Sequence, residues 1–262
     1  RRAAVELLAK WHHGGRHAEL LIEDFERGVA AEWAYVDRRR LREIVFGVVR
    51  LRARYDHLVT ALSDGTKSPP VPLRALLWAG MHEMLEMRAP DHAVVSESVE
   101  LARTMKLAWA SGWVNAVLRR LAREGAEAHF PAADVDPVGH ATTWLRHPAW
   151  LVQTWADRLG PAEMLELCAA DNARPAVHLR AAPGRRDALV SALAAMEWET
   201  RPIDLAPDAS ELITRVPPAV LIEAVDEPCA VQDAAAQLVA PLLASAVGPG
   251  ARVLDLCAAP GG

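Results

Sequence analysis

The feature that most constrains the fold is a nearly unbroken helical periodicity between residues 3 and 128, where apolar side chains recur at three- and four-residue intervals. The segment 37–62 shows it best, with Leu41, Ile44, Val45, Val48, Val49, Tyr55 and Leu58 on one side. Glycine and proline interrupt it only briefly, as in "SDGTKSPPVP". The pattern predicts an all-α bundle of six or seven helices, with Asp37 and Ser111 as N-caps and Gly125 at the end of the last helix.

The character of the sequence changes at the segment 130–140, which has two prolines, a glycine and no periodicity, and which we interpret as a linker. Two short helices follow, then the strand candidates "AVHLRA", "EWETRPI" and "ELITRV" with one helix between the first two. The last 34 residues resemble neither part and contain one helix, "VQDAAAQLVAPLLASAVG", and a final strand, "ARVLDL". We therefore expect a helical domain over 1–130, a small α+β domain over 141–228 and the beginning of a third domain over 229–262.

Charge is distributed unevenly along the chain. The formal net charge of −5 combines 20 basic and 17 acidic residues before Pro131 with 9 basic and 17 acidic residues from there on. Between residues 37 and 54 only two acids accompany seven arginines, here called the arginine stripe: Arg38, Arg39, Arg40, Arg42, Arg50, Arg52 and Arg54. Such a stripe is as consistent with a solvated helix face as with binding of a polyanion such as nucleic acid.

Several classes of protein are disfavoured by composition. No apolar run approaches the roughly 18 residues of a membrane-spanning helix, and no signal peptide opens the chain, so we expect a soluble, cytoplasmic protein without a membrane partner. Three cysteines and ten histidines show no spacing typical of a disulfide framework or a metal site, and we expect no metal. Cys168 lies on the apolar face of a predicted helix and is expected in the core, whereas Cys229 is expected in a loop. Because the first residue is Arg1 rather than methionine, we expect the chain to be part of a longer protein.

The chain ends on "VLDLCAAPGG", an apolar run and an acid followed by small residues and two glycines. Small side chains let a ligand approach the main chain, and the carboxyl end of a parallel strand is where α/β proteins bind cofactors. The spacing fits neither the dinucleotide fingerprint nor the nucleoside-triphosphate loop. From the residues alone, an ordinary tight turn is equally possible here.

Four segments of the second half resemble motifs of one enzyme family. "VLDLCAAPGG" looks like the first cofactor motif of the RNA 5-methylcytosine methyltransferases of the Sun/Fmu type. "VQDAAAQLVAPLL" is similar to the helix that precedes this motif in the same enzymes. "HPAWLVQTWADRLG" and "NARPAVHLRAAP" resemble the family's His-Pro-x-Trp segment and its Arg-Pro-x-x-x-Leu-Arg strand.

The first half resembles the helical domain, related to the antitermination factor NusB, that precedes these motifs in the bacterial member of the family. The similar segments are "FGVVR", "HAVVSESVELA" and "NAVLRRL". The resemblance covers essentially the whole chain in the family's own domain order. It implies a NusB-like all-α bundle, then a small α+β domain, then the start of an α/β Rossmann-like methyltransferase domain.

What the resemblance implies is methyl transfer from S-adenosylmethionine to carbon 5 of a cytosine in small-subunit ribosomal RNA. In such enzymes a cysteine thiolate first adds to carbon 6, which makes carbon 5 nucleophilic. The cysteines of this step belong to later motifs, so no catalytic residue is expected in this chain. The resemblance assigns cofactor binding to Cys257, Ala258, Ala259, Pro260, Gly261 and Gly262.

For RNA, the resemblance and the charge pattern together suggest Arg50, Arg52, Arg54, Arg119, Arg120 and Arg180. The family usually has Asn where this chain has Ala182, which leaves open whether Arg180 acts with a partner. Gln232, Asp233 and Gln237 match the second motif, and the alternatives are a functional role or a helix cap at Asp233 with Gln237 on the surface. We expect Trp78, Trp109 and Trp113 to pack in the core.

Two other functions remain open from the sequence. The chain could be a non-catalytic NusB-like module that binds RNA or protein, in which the helical domain alone carries the function. A small-molecule enzyme with a similar first loop is a weaker alternative, because it would need neither the arginine stripe nor the helical domain. The sequence identifies no protein partner.

Overall fold

The protein is described by a computed structural model that covers residues 1–14, 16–63, 69–173, 175–214, 216, 218–248 and 250–256. Side chains of residues 218 and 219 are left undescribed. The chain forms two compact units, residues 1–172 and 173–262, and each is treated by itself below.

The first unit is entirely helical over its described residues. Its helices are α1 (Arg2–Gly14), α2 (Ala18–Arg27), α3 (Tyr35–Leu62), α4 (Val71–Leu85), α5 (Asp91–Thr104), α6 (Ser111–Glu124), α7 (Pro137–Thr143), α8 (Ala149–Leu159) and α9 (Pro161–Asn172). Single 3-10 turns lie at Ala108–Ala110 and Glu127–His129. This confirms the bundle that the periodicity predicted. Within the part of the chain that is described, no helix is long and apolar enough to cross a membrane.

The helix ends differ in part from the prediction. Helix α3 begins two residues before Asp37, which therefore lies in the first turn, where its charge suits the helix dipole without capping it. The Ser111 hydroxyl donates back to the Ala108 carbonyl oxygen (2.8 Å), so it does not cap α6. Both N-cap predictions are wrong. Gly125 does end α6, at φ 75°, as predicted.

Helix α4 is the centre of the first unit's core. Nearly all of its side chains between Leu73 and Met84 are buried, as expected for a helix surrounded by others. Trp78 is fully buried, and its indole N–H donates to a carboxylate oxygen of Asp56 (3.0 Å), which confirms its predicted place in the core. Helices α7 to α9 enclose a smaller cluster of their own that includes Cys168, also as predicted.

A polar pair lies inside this core. The Tyr55 hydroxyl and the Nδ1 atom of His82 are 2.9 Å apart, and both side chains are almost completely buried. Gly47 of α3 admits the imidazole, because a Cβ atom at this position would lie 2.1 Å from the ring Cε1 of His82. Burial lowers the pKa of His82 and raises that of Tyr55, so the imidazole is neutral and accepts from the hydroxyl.

The buried His82 gives the protein a pH-dependent stability. The imidazole takes up a proton at about pH 6.5 in the unfolded chain but only at lower pH in the folded one. The free energy of unfolding is therefore expected to have its full value above about pH 6.5 and to fall as the pH drops below that value. Urea unfolding between about pH 7.5 and 5 measures this, with His82→Gln as the comparison. The same loss in both proteins would contradict this assignment.

The second unit contains a four-stranded antiparallel sheet in the order β2-β3-β1-β4. Its strands are β1 (Val177–Ala181), β2 (Thr200–Pro202), β3 (Ala209–Leu212) and β4 (Cys229–Val231), and its helices are α10 (Arg186–Ala195), α11 (Pro218–Ala224), α12 (Ala234–Gln237) and α13 (Val239–Ala246). One face of β1, with Leu179 and Ala181, packs in a core with Leu189 and Leu193 of α10. The opposite face carries His178 and Arg180.

The end of the described chain differs from the prediction in three ways. Cys229, predicted in a loop, begins β4, which pairs antiparallel with β1. The single predicted helix is divided into α12 and α13 at Leu238. Residues 251–256 form no strand and pair with none of the four strands of this unit.

Candidate nucleic-acid interface and cofactor loop

The three arginines predicted on α3 do not share one surface. At 100° per residue, Arg50 and Arg54 lie on one side of the helix and Arg52 on another. Arg52 is 3.1 Å from a carboxylate oxygen of Asp56. Arg50 is exposed and has neither a hydrogen bond nor an ion pair to any described residue. Arg50 is therefore the member of this set best placed for an external phosphate.

Arg54 is an internal residue. Only 5% of it is exposed, its Nε–H donates to the Trp144 carbonyl oxygen (2.9 Å), and its Nη1 donates to Glu86 (2.8 Å). Its guanidinium also lies 4.1 Å from the centre of the Trp144 indole ring. These contacts satisfy the charge within the first unit. We therefore leave Arg54 out of the RNA-binding surface proposed below.

The last helix of the bundle places its two arginines differently. The Arg119 guanidinium is exposed and donates to the Asn115 side chain (3.0 Å). Arg120 is half-buried and donates to Glu124 (3.1 Å) and to the Leu62 carbonyl oxygen (3.2 Å), so it ties α6 to the end of α3. Of the two, Arg119 is the one available to a ligand.

A groove between α5 and α6 contains Arg119 together with Arg103 and Arg123, which sequence reasoning missed. The groove encloses about 860 Å³, and its other charged lining residues are Asp91 and Glu100. Arg119 and Arg123 lie one turn apart on α6, and Arg103 reaches the same groove because α5 packs against α6. An excess of positive charge makes it a candidate for a phosphate backbone.

The segment that joins α5 to α6 carries an exposed tryptophan. Trp109 is 71% exposed, so its predicted place in the core is wrong, whereas Trp113 is half-buried and packs against the core. The difference arises because Trp109 lies in the 3-10 turn Ala108–Ala110, outside the helical spacing that suggested burial. An exposed indole is a surface on which a base can stack.

The Gln-Asp-x-x-x-Gln motif ties α12 to the sheet. Asp233 caps the helix by accepting from the Ala235 N–H (3.0 Å), and its other carboxylate oxygen is 3.1 Å from His178 Nδ1. The Gln237 amide donates to the main-chain oxygens of Leu179 (3.3 Å) and Gln232 (2.9 Å). Gln237 is only 7% exposed. Of the two alternatives, the helix cap at Asp233 is observed, and Gln237 is an internal link rather than a surface residue.

The predicted cofactor residues, Cys257 to Gly262, lie outside the described part of the chain, and their role stays a prediction. Of the other cysteines, Cys168 is buried and Cys229 half-buried, and burial raises the pKa of both thiols. Neither is therefore a candidate thiolate nucleophile at neutral pH. Among the described residues, no group of three or more His, Cys, Asp or Glu side chains could hold a metal ion.

Comparison with protein families defines the class of protein. Residues 1–123 match the NusB family, and residues 147–218 match the RsmF/RsmB-like methyltransferase family's ferredoxin-like domain. These matches confirm the helical bundle and the small α+β domain that follows it. The chain thus combines a NusB domain with an RsmF/RsmB-type ferredoxin-like domain, which is the combination expected of the Sun/Fmu type.

Individual relatives agree with this class. The ribosomal RNA small subunit methyltransferase B of Pseudomonas putida is 36% identical over 86% of this chain and 51% of its own length. The protein of the same name from Xanthomonas campestris is 35% identical over 100% of this chain and 56% of its own. Rv1407 of Mycobacterium tuberculosis, provisionally named a methyltransferase, is 36% identical over 100% of this chain and 58% of its own. The chain therefore matches the Sun/Fmu type and spans about half the length of these relatives.

One solved structure shares the fold at low sequence identity. The crystal structure of PH0851 has a TM-score of 0.52 to this chain at 11% identity, over 93% of this chain and 55% of that one. At this identity the likeness concerns the fold alone.

Proposed function

We propose that this chain is the RNA-binding part, with the first cofactor loop, of an enzyme that transfers a methyl group from S-adenosylmethionine to carbon 5 of a cytosine in small-subunit ribosomal RNA. The observation that carries the proposal is the order of the two matched domains, together with relatives named for methylation of small-subunit ribosomal RNA. The domain boundaries predicted from the sequence, at 130/141 and 228/229, belong to this proposal.

In this proposal each part of the chain has a separate task. S-adenosylmethionine supplies an electrophilic methyl group. The segment Cys257–Gly262 holds it against main chain left open by small side chains. Arg50, Arg119 and Arg180 bind RNA. In support, Arg50 and Arg119 are exposed, and Arg180 makes no hydrogen bond or ion pair with any described residue. The thiolate that adds to carbon 6 of the cytosine comes from a segment outside this chain.

The direct test is methyl transfer by the full-length protein that carries this chain. Purified small-subunit ribosomal RNA is incubated with the protein and S-adenosylmethionine labelled in its methyl group, and bisulfite sequencing then locates any 5-methylcytosine. We expect one cytosine to become resistant to bisulfite. If RNA binds but is never methylated, the non-catalytic module is the better description.

The arginine assignment predicts a change in salt dependence. Replacing Arg50 and Arg119 with glutamine is expected to reduce the slope of log affinity against log salt by about 1.4 for single-stranded RNA, because each lost phosphate contact removes about 0.7. Fluorescence anisotropy of a labelled RNA over a range of salt concentrations measures the slope. Arg42→Gln is the control, because Arg42 is already bonded to Glu26. An equal slope in wild type and the double variant would remove these two residues from the surface.

The cofactor-loop assignment predicts that cofactor affinity can be lowered without lowering RNA affinity. In the full-length protein, Gly261→Val is expected to weaken S-adenosylmethionine binding by about tenfold or more, because a branched side chain fills the space next to the main chain. RNA affinity is expected to stay near wild type. Titration calorimetry with the cofactor and anisotropy with RNA measure the two effects. Undiminished cofactor affinity would refute the loop assignment.

A further inference from the structure

The second unit contains a concave site on the face of its sheet opposite α10. It encloses about 490 Å³, within the range of ligand pockets in proteins. Its walls come from the end of β1, the turn at residues 206–208, the start of β4 and helices α12 and α13. Four prolines contribute to these walls, namely Pro183, Pro207, Pro228 and Pro241, and alanines supply much of the rest. The site is thus open, mostly apolar and lined by rigid, flat groups.

One cation, Arg180, lies in this apolar surrounding without a partner among the described residues. Arg180 lies on β1, an inner strand of the sheet, directly opposite Ala209 of β3 and Ala230 of β4. These methyl groups are too short to cover a guanidinium. Arg180 is half-buried and makes no hydrogen bond or ion pair with any residue that the structure describes. Asp208, the carboxylate among the described lining residues, accepts from the Gly184 N–H (2.9 Å).

Two other arginines of the second unit show the contrast. Arg201 of β2 bonds to Glu211 (3.1 Å), and Arg185 bonds to Glu227 (3.3 Å). A half-buried arginine is ordinarily paired, because removing part of its hydration is costly unless other acceptors replace the water. None of the five N–H donors of Arg180 therefore has an acceptor among the described residues. The walls of the site would also shield a bound ligand from water.

The walls and the cation together define the ligand. A flat apolar surface beside a guanidinium suits a nucleobase, whose faces are apolar and whose edge or phosphate offers acceptors. We propose that this site, here called the Arg180 pocket, takes one unstacked nucleotide of single-stranded RNA. The base lies between the proline and alanine walls, and the guanidinium donates to its acceptor edge. The inference rests on the proposed RNA substrate and adds a defined position for one of its nucleotides.

The first test asks whether the pocket binds RNA at all. Anisotropy of a labelled single-stranded RNA of about 12 nucleotides is measured with Arg180→Gln, which removes the donor, and with Ala240→Trp, which fills the pocket from an exposed position of α13. Each is expected to lower affinity about tenfold, the loss of one base contact. The matched controls are Arg201→Gln on the same sheet and Ala244→Trp on the same helix, which lie outside the pocket and should stay near wild type.

The second test separates a bound base from a bound phosphate. The same variants are titrated with an oligomer of equal length whose nucleotides are abasic. The proposal expects Arg180→Gln and wild type to bind this oligomer equally, because the contact that the variant loses is to a base. An equal loss for both oligomers would show that Arg180 contacts a phosphate rather than a base and would overturn the proposal.

The outcomes distinguish this inference from the proposed function. If wild type binds RNA and the two pocket variants bind it equally well, the Arg180 pocket is refuted while the proposed function stands. If wild type binds no RNA, the proposed function fails, and this inference with it. Thermal unfolding of each variant shows whether it is folded, and because Ala240 is exposed, its variant remains a valid test even if Arg180→Gln unfolds.

Discussion

Replacing Gly47 with alanine is expected to destabilise the first unit by about 3 kcal/mol, although helix propensity alone predicts a gain of about 1 kcal/mol. The new Cβ atom would lie 2.1 Å from Cε1 and 2.3 Å from Nε2 of His82, well inside van der Waals contact. The imidazole cannot move aside, because it is buried and bonded to the Tyr55 hydroxyl. Chemical denaturation of wild type and variant measures the difference.

A double variant tests the cause of this loss. His82→Ala removes the ring, so Gly47→Ala should cost much less in that background than in wild type, a coupling expected for side chains in contact. Gly112→Ala is the matched control, because a Cβ atom at this helical position meets nothing within 4 Å. If Gly47→Ala were as harmless as Gly112→Ala, the close packing of α3 against His82 would be incorrect.

Arg54→Gln is expected to cost about 3 kcal/mol of stability, since it leaves Glu86 without its cation and the Trp144 carbonyl without its donor. The guanidinium is buried under the indole of Trp144, so solvent cannot replace it. The same change is expected to leave the salt dependence of RNA binding unaltered. The two measurements are urea unfolding and RNA anisotropy over a range of salt concentrations.

Arg50 provides the comparison one helical turn away. Arg50→Gln removes the same charge from an exposed position, so stability should change by less than about 0.5 kcal/mol while the salt slope of RNA binding falls. The two variants thus lose different properties. If Arg54→Gln altered the salt slope as much as Arg50→Gln, its burial would not exclude it from RNA.

The helices were predictable because packing imposes a period on the sequence. In α3 and α6 the buried positions repeat every three or four residues, and apolar residues occupy nearly all of them. The strands of the second unit were harder, because β2 and β4 contain three residues each and such short segments carry no alternation. What makes β4 a strand is its pairing with β1, about fifty residues earlier, which no local pattern records.

For the candidate site, sequence reasoning found charges but not their partners. Arg50, Arg52 and Arg54 look alike in sequence, yet one is exposed, one is paired with Asp56 and one is buried. Arg52 pairs within α3, whereas the partners of Arg54, the Glu86 carboxylate and the Trp144 carbonyl group, come from segments just after α4 and α7. The groove arginines were missed for a similar reason, since only the packing of α5 against α6 brings Arg103 to Arg119 and Arg123.

The hydrogen bonds of Gln237 affect where the chain can be shortened. A fragment cut after Pro228, at the boundary that composition suggests, would lack β4 and would leave one edge of β1 without hydrogen bonds. It would also lose the amide that bridges α12 and the Leu179 carbonyl. An unprotected strand edge invites self-association. Shortened versions meant for crystallisation or spectroscopy should therefore continue at least through Gln237 to remain monodisperse.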